Sequence, residues 1–588
     1  MNKIFLKRAV IILLTIVILS GTMFSVLAEA AVPYSPLPDY TGDWVNFRGN
    51  DENMGITEAP TPVSKENANL KWAQKYGQGW AGASTPPIIV NDVLYIVVNK
   101  NVLMLDKNTG EEIIRSPELE GNAGFALNPA AYGEGMIFVH VGEGRIQALR
   151  ADTLETLWIS ESVGGQTISP ITYKNGYIYS GTWNSETADG TYFCIYVKDE
   201  DTSRGSEIKE CQWKLNHKGG FYWAGAYAAD DYVIFGSDDG TGGCESETAV
   251  LYSVNPLSGK VIDTIEGIKG DMRSAIAYDQ DTDKIYFSTK GGWFYSVRVK
   301  NDGTFDDKTA RYMETGGMST GTPLVYNGRA YLGVCGPGQF SKEGHTYKVI
   351  DVNEMKEIYS VEVPGYVQTS GLLSTAYADS NGKVYIYTTY NYPPGGLYVI
   401  EDSKGQTEAK AGHLFIPEGN LSQYSISSLV CDKNGTIYYK NDSCYMMAIE
   451  NNKSKGNSII TEPIKTGTEI NKKDKIETSL SDIKSQRGSI INFDVWATDK
   501  DGKKIDSSVT LNGQTVPKTW DDVSKTSYRL KFTDAGENII IITAGDAAKT
   551  LIVNYIPSQE GDVIGKAAVS AEVFTLGRGY YRSCYRRY

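Results

Sequence analysis

Short apolar strands alternate with turn-forming clusters along most of the chain, and the alternation repeats. An aliphatic or small residue followed by an aromatic recurs just after a turn cluster: Leu94-Tyr95, Ile137-Phe138, Ile178-Tyr179, Ile234-Phe235, Ile285-Tyr286, Ala330-Tyr331, Val384-Tyr385 and Ile437-Tyr438. The mean spacing is about 49 residues, one supersecondary unit per step. Each unit opens on small residues and a short apolar strand ("ASTPPIIV", "TISPITYK", "TGTPLVYN") and turns through Gly, Asn or Asp into the strand carrying the pair. A third strand follows ("VLMLD", "IQALR", "FYSVR", "MMAIE"), then a turn and a fourth ("TLWIS", "QWKLN"). This grammar predicts four-stranded antiparallel blades.

The eighth unit ends at its third strand, "MMAIE" at 446–450, and runs into polar "NNKSKGN". At the other end, "NLKWAQK" at 69–75 has no unit of its own, and its Trp72 matches Trp158 and Trp213 of the fourth strands. That strand is expected to complete the eighth blade and so remove an open edge. The fold class is therefore all-β: an eight-bladed β-propeller over 69–452 closed by strand 69–75, or seven blades if one unit is an insertion. The lead, 31–68, contains "TGDWVNFRGNDENMGIT" at 41–57, neither alternating nor helical. It is expected to latch the last blade to the first, with Trp44 and Phe47 buried, Arg48 bonded to backbone carbonyls, and Gly49 and Gly55 in turns.

Residues 453–475 read as a polar, Lys-rich linker. Short strands return over 476–556 ("IINFDVWATD", "SYRLKFTD", "NIIIITAG", "TLIVNYI") and predict an immunoglobulin-like β-sandwich, without the intersheet Cys pair of antibody domains. The remainder, 557–588, holds one alternating stretch, "KAAVSAEVFTLGRGYY", and ends "RSCYRRY". It reads as a disordered tail or a truncated domain.

Two kinds of stretch carry a family resemblance. "DKNTGEEI" at 106–113 and "NPLSGKVI" at 255–262 resemble the turn signature of pyrroloquinoline-quinone-type propeller repeats, and "WVNFRGNDENMGIT" resembles the N-terminal lead of those proteins. The resemblance implies the propeller architecture over about two-thirds of the chain. It leaves activity open, because such repeats occur both in quinone-dependent dehydrogenases and in cofactor-free propellers such as the outer-membrane assembly factor. The stretch at 566–581 resembles the opening of a transcobalamin-like C-terminal domain, and the sandwich resembles accessory modules of bacterial surface proteins.

Composition narrows the partners. A formal net charge of −14 and no basic stripe argue against nucleic acid. Lys3, Lys7 and Arg8 precede an apolar run ending in "AEA", 28–30, so residues 1–30 read as a signal peptide and the protein as secreted or at the cell surface, with no membrane span after cleavage. An uncleaved anchor is the alternative. Export makes local disulfides conceivable between Cys194 and Cys211 and between Cys431 and Cys444; Cys244, Cys335 and Cys584 have no obvious partner.

Ligands of propellers meet the axis at one mouth, on loops entering the innermost strands. The repeat places Trp80, Phe125, Gln166, Trp223, Arg273, Ser319, Gln368 and Tyr424 there, beside Phe221 and Tyr222. Aromatic rings among amides suit a sugar or planar ligand, or else pack and plug the channel. A quinone with three carboxylates would find only Arg273, with Asp271 nearby and Asn128 as an oxygen ligand for calcium, and the adjacent-Cys pair of many quinone alcohol dehydrogenases is absent from the sequence. Acidic turns at 199–210, 279–284 and 499–502 depart from the EF-hand spacing and are explained by Asp capping its own turn. No HExxH or phosphate loop occurs, and His140, His217, His345 and His413 are isolated. The expectation is a non-enzymatic binding or scaffold protein with a protein or glycan partner and no cofactor. The alternatives are a pyrroloquinoline-quinone-dependent oxidoreductase using calcium, and a carbohydrate-active lyase or hydrolase.

Overall fold

Strands dominate the protein, and two single-turn 3-10 segments are the helical pieces among the described residues. The structure is a computed structural model that describes residues 36–121, 128–199, 207–241, 246–336, 342–452, 475–480, 483–486, 489–499, 502–545 and 547–555. The signal segment, the C-terminal segment 557–588, nearly all of the linker, Phe125, Cys244 and most of the acidic turn 199–210 lie outside them. Among the described residues no helix is long and apolar enough to cross a membrane. The chain forms two compact units, one holding Met1–Pro417 and Gln423–Ile460, the other Thr461–Arg582.

Among the described residues the first unit contains eight sheets in chain order. Each is built on four antiparallel strands, as in Ile88–Val90, Val93–Val98, Asn101–Asp106 and Glu112–Arg115. The eighth combines Val430–Cys431, Ile437–Lys440 and Tyr445–Asn451 with the N-terminal strand Ala68–Lys75, which pairs antiparallel with Tyr445–Asn451. Shared apolar cores join the first sheet to the second, the second to the third, and so on to the seventh. Thr389 Oγ1 donates to Ser427 O between the seventh and eighth. Trp72 of the eighth donates its indole N–H to Lys107 O of the first at 3.0 Å.

That last bond belongs to a recurring clasp. Fourth-strand Trp158 donates to Val197 O of the next sheet at 2.9 Å, and Trp213 to Pro256 O at 2.8 Å. Second-strand Tyr95 reaches Ala151 O, and Tyr438 reaches Lys107 O. Every acceptor lies just beyond the third strand of the following sheet. The turn there is built for the contact. Asp106 Oδ1 accepts from the N–H groups of Asn108 and Thr109, Asn255 Oδ1 does the same for Leu257 and Ser258, and Gly110 and Gly259 take positive φ. A Cβ on Gly259 would meet the Trp213 ring at 2.5 Å, and one on Gly110 the Trp72 ring at 2.8 Å. The turn signature thus leaves room for the previous sheet's indole.

The lead does more than latch two sheets. Asp43 faces Lys107 of the first sheet at 3.9 Å and accepts from Lys433 N before the eighth sheet's second strand. From there the segment continues across the ring. Trp44 exchanges backbone bonds with Ile89, Val45 O accepts from Tyr132 N, Glu52 O from Tyr278 N, and Gly55 O from Leu373 N. Asn53 Nδ2 donates to Ala226 O at 2.7 Å and Ile276 O at 2.9 Å. Residues 56–57 lie parallel to Leu372–Ser374. One segment spanning at most about 60 Å therefore touches the first strand, or the residue before it, of five sheets. Those strands must converge, so they are the innermost, and the lead occupies the axis between their edges.

Trp44 and Phe47 are buried, and buried Arg48 donates to Asn53 O, Met54 O and Gly371 O. Burial lowers the Arg48 pKa to about 10, which leaves it charged at neutral pH. Gly55 takes φ +64° with its Cα against the Arg48 guanidinium, where a Cβ would collide.

The second unit has two sheets. One runs Lys475–Thr478, Ile490–Thr498, Thr526–Lys531, Lys518–Asp521; the other runs Ile483–Gln486, Ala547–Tyr555, Gly536–Ala544, Ser508–Leu511, Gln514–Val516. Phe493, Val495, Tyr528 and Leu530 of the first share a core with Val509, Ile540, Ile542 and Val553 of the second.

Cys194, Cys211, Cys431 and Cys444 are free thiols, which corrects the disulfide expectation. Cys431 Sγ bonds Asp432 O and Cys444 Sγ bonds Gly79 O, so these two thiols serve separate backbone groups. Burial raises the Cys194 and Cys211 thiol pKa values, the latter to about 12.

Gly259→Ala is expected to cost at least about 2 kcal/mol, from left-handed strain plus displacement of Trp213. Gly405→Ala, at φ +83° with open space around it, is expected to cost only the strain, about 1–2 kcal/mol. Urea midpoints of the two variants separate the clasp from the backbone effect, and equal midpoints would remove the clasp.

Candidate functional site

The axial cavity is bounded by Phe47 from the lead and by Trp223, Arg273 and Gln368 from three sheet-entering loops, with Asn128 and Thr320 between. Its volume is about 30 Å³, room for roughly two water molecules. Three of the positions expected at the mouth therefore meet. The other described positions do not line the cavity. Trp80 is 57% exposed on the turn Trp80–Gly82. Gln166 is bridged to Trp183 by reciprocal backbone bonds. Ser319 is buried, its N–H donated to Thr289 O, and Tyr424 packs edge-on against Tyr392. Asn128 Nδ2 donates to Ile168 O, which orients the amide.

Arg273 dominates the electrostatics. It is buried, and its Nη2 lies 2.7 Å from Glu186, 2.8 Å from Asp238 and 3.0 Å from Asp271. Tyr222 lies 4.4 Å from the guanidinium carbon, so a ring face covers the same cation. Lys290 adds a second cation, 3.3 Å from Asp271 and 3.9 Å from Glu186. Burial works against the charge on Arg273, yet Asp238, Asp271 and Glu186 together hold its proton more firmly than usual. Burial raises the Asp238 pKa, against Arg273 and with help from Asp271. Asp271 is also penalised by burial, but Arg273 and Lys290 outweigh it and lower its pKa.

The oxygens of Glu186, Asp238 and Asp271 lie within 4.8 Å of one another, the only group of three such ligands among the described residues. They could hold a metal by chemistry alone. The guanidinium, however, already stands among all three.

Aromatic rings back this cluster. Trp183 meets Tyr222 edge-on at 5.0 Å, and Tyr222 meets Trp223 at 5.1 Å. Trp223 adopts φ +58°, strained for a bulky side chain, and its buried Nε1 has no hydrogen-bond partner among the described residues. The acidic turn at 279–284 closes on itself: Asp279 Oδ2 accepts from Thr282 N and Oγ1.

The sequence pointed to Asp271, Arg273, Tyr222 and Trp223 but not to Glu186, Asp238 or Lys290, and it placed Phe47 in the latch rather than at the cavity. Glu186, Asp238 and Lys290 all follow the second strand of their sheets, Tyr177–Gly181, Val233–Gly236 and Lys284–Thr289. A charge at that place in three consecutive repeats was the available signal.

No protein-family model matches the chain, and no curated protein is similar to it. Solved structures share its fold. A quinohemoprotein alcohol dehydrogenase, ADHIIG from Pseudomonas putida HK5, aligns over 71% of this chain and 81% of its own at 13% identity and TM-score 0.50. A europium-containing methanol dehydrogenase aligns over 68% and 89% at 11% identity and TM-score 0.48. BamB from Moraxella catarrhalis aligns over 65% and 99% at 11% identity and TM-score 0.44. The alignment with the alcohol dehydrogenase ADHIIG, together with the four-stranded sheets, identifies a β-propeller fold; an identity of 13% establishes the fold alone.

Asp238 holds its proton more firmly in the folded chain than in the unfolded one. Its contribution is favourable below the unfolded carboxylate range, about pH 4, and declines as pH rises through the folded pKa. Asp238→Asn is therefore expected to gain stability relative to the wild type between pH 5 and pH 8. Urea midpoints at the two pH values check this, and a variant that loses ground on going to pH 8 would contradict it.

Proposed function

We propose that the chain is an exported, non-enzymatic scaffold: an eight-bladed propeller sealed along its axis, carrying an immunoglobulin-like sandwich as a second module. Its partners are proteins or surface glycans, met on outer surfaces. The observation that carries this reading is the occupied axis. The lead bonds to the inner edges of five sheets, and the space left beside Phe47 is about 30 Å³, against the roughly 300 Å³ or more that small-molecule sites offer.

The same residues speak against the quinone alternative. Pyrroloquinoline quinone carries three carboxylates and needs cations to meet them. Arg273 already faces three protein carboxylates, and Lys290 faces two of the same three. A further trianion would be repelled by the acids and would have no room beside Phe47. Calcium would have to displace a guanidinium held at 2.7–3.0 Å by all three of its would-be ligands.

Incubation with the quinone and calcium, followed by desalting, is expected to leave no quinone absorbance on the protein and no dye-linked oxidation of alcohols or sugars. Retention of one quinone per chain would overturn the reading.

A further inference from the structure

We propose that the second unit binds neutral, β-linked polysaccharide on the outer face of the sheet containing Ile490–Thr498 and Thr526–Lys531. Along Ile490–Thr498 the side chains alternate. Phe493, Val495 and Ala497 are buried in the core, so Asn492, Asp494 and Trp496 project from the opposite face. Ser527 and Arg529 project with them, being paired with Asp494 and Asn492. Trp520 pairs with Ser527 from the edge strand and is 63% exposed; Trp496 is 37% exposed.

The register fixes where the two indoles stand. Asp494, Ser527 and Trp520 form one row across three strands, and Trp496 lies two residues along the strand from Asp494. Strand spacing and rise put their backbone positions about 12 Å apart on one face, on the scale of a disaccharide. Two rings on a flat surface suit the apolar faces of pyranoses in an extended ribbon, which β-linkage produces.

The platform is held in place before any ligand arrives. Trp520 Nε1 donates to Asp522 Oδ2 at 3.1 Å, and Asp522 Oδ1 is tied to Ser524 N and Lys525 N, so the exposed indole is oriented by its own turn. Between the rings, Asp494 accepts from Ser527 Oγ at 2.5 Å and Lys525 Nζ at 2.6 Å. These groups offer both donors and acceptors to hydroxyls.

Charge selects among polymers. Lys525 is paired with Asp494, Lys504 with Asp521, and Lys518 with Asp506 and Asp521. Arg529, which donates to Asn492 Oδ1, and Lys531 project from the same face without a carboxylate partner among the described residues; the lysines nearest the two indoles are matched to carboxylates, and there the face suits an uncharged polyol.

The test is retention of the full chain on microcrystalline cellulose and chitin, with soluble cello-oligosaccharides as competitors. Retention that falls at least tenfold in Trp520→Ala and in Trp496→Ala, with urea midpoints unchanged, supports the proposal. Three results would overturn it: no retention on either polymer, retention indifferent to both variants, or binding confined to an anionic polysaccharide such as alginate and abolished by salt. Self-association at this face, seen by sedimentation equilibrium and lost in Trp520→Ala without polysaccharide retention, would also overturn it. A negative outcome leaves the reading of the propeller axis unaffected, since that rests on other residues and on quinone uptake.

Discussion

Eight sheets arranged around an axis leave eight inner edges, and each edge is a row of backbone groups that must find partners. In this protein the N-terminal lead supplies partners to five of them. Asn53 alone satisfies two carbonyls from neighbouring sheets, and Arg48 ties Asn53, Met54 and Gly371 together through one buried guanidinium. The arrangement is strand addition turned inward: the segment that could have been a partner peptide is part of the same chain. What the axis could hold, and what the mouth could do, follow from that occupancy.

The outer architecture rests on a different device. Each indole clasp joins the fourth strand of one sheet to a carbonyl beyond the third strand of the next, so neighbouring sheets are fixed by a directional bond as well as by apolar burial. Glycine in the signature turn serves two demands at once at Gly110 and Gly259: positive φ, and space for an incoming ring. The sixth and seventh sheets show the same contact made with a carboxylate. Tyr331, Tyr359 and Arg329 converge on buried Asp402, at the end of the seventh sheet's third strand.

Much of this was legible in the sequence. The aliphatic–aromatic pairs located the repeats, because burial on both faces of a sheet leaves an unmistakable apolar run. Trp72, standing alone ahead of the first unit, identified the strand that pairs with Tyr445–Asn451. The roles of Trp44, Phe47, Arg48, Gly49 and Gly55 could be read from residue chemistry. Their location could not, since the lead engages other sheets through backbone groups, which carry no residue-specific signal; it was expected at the last and first blades and crosses five sheets. At the mouth, Arg273 was legible as a lone cation, but Glu186 lies 87 residues away in sequence and Asp238 lies 35 away. Only the ring brings them together.

The mouth is then a self-matched cluster of three acids and two bases, with aromatic cover, sitting above a plugged axis. Such a structure stabilises a ring. The direct measurement of the central claim is amide hydrogen exchange in peptides covering residues 41–57. If the lead fills the axis, amides of Trp44 and Gly55 exchange as slowly as those of the inner sheet strands. Exchange within seconds, at the rate of the exposed turns, would contradict the account.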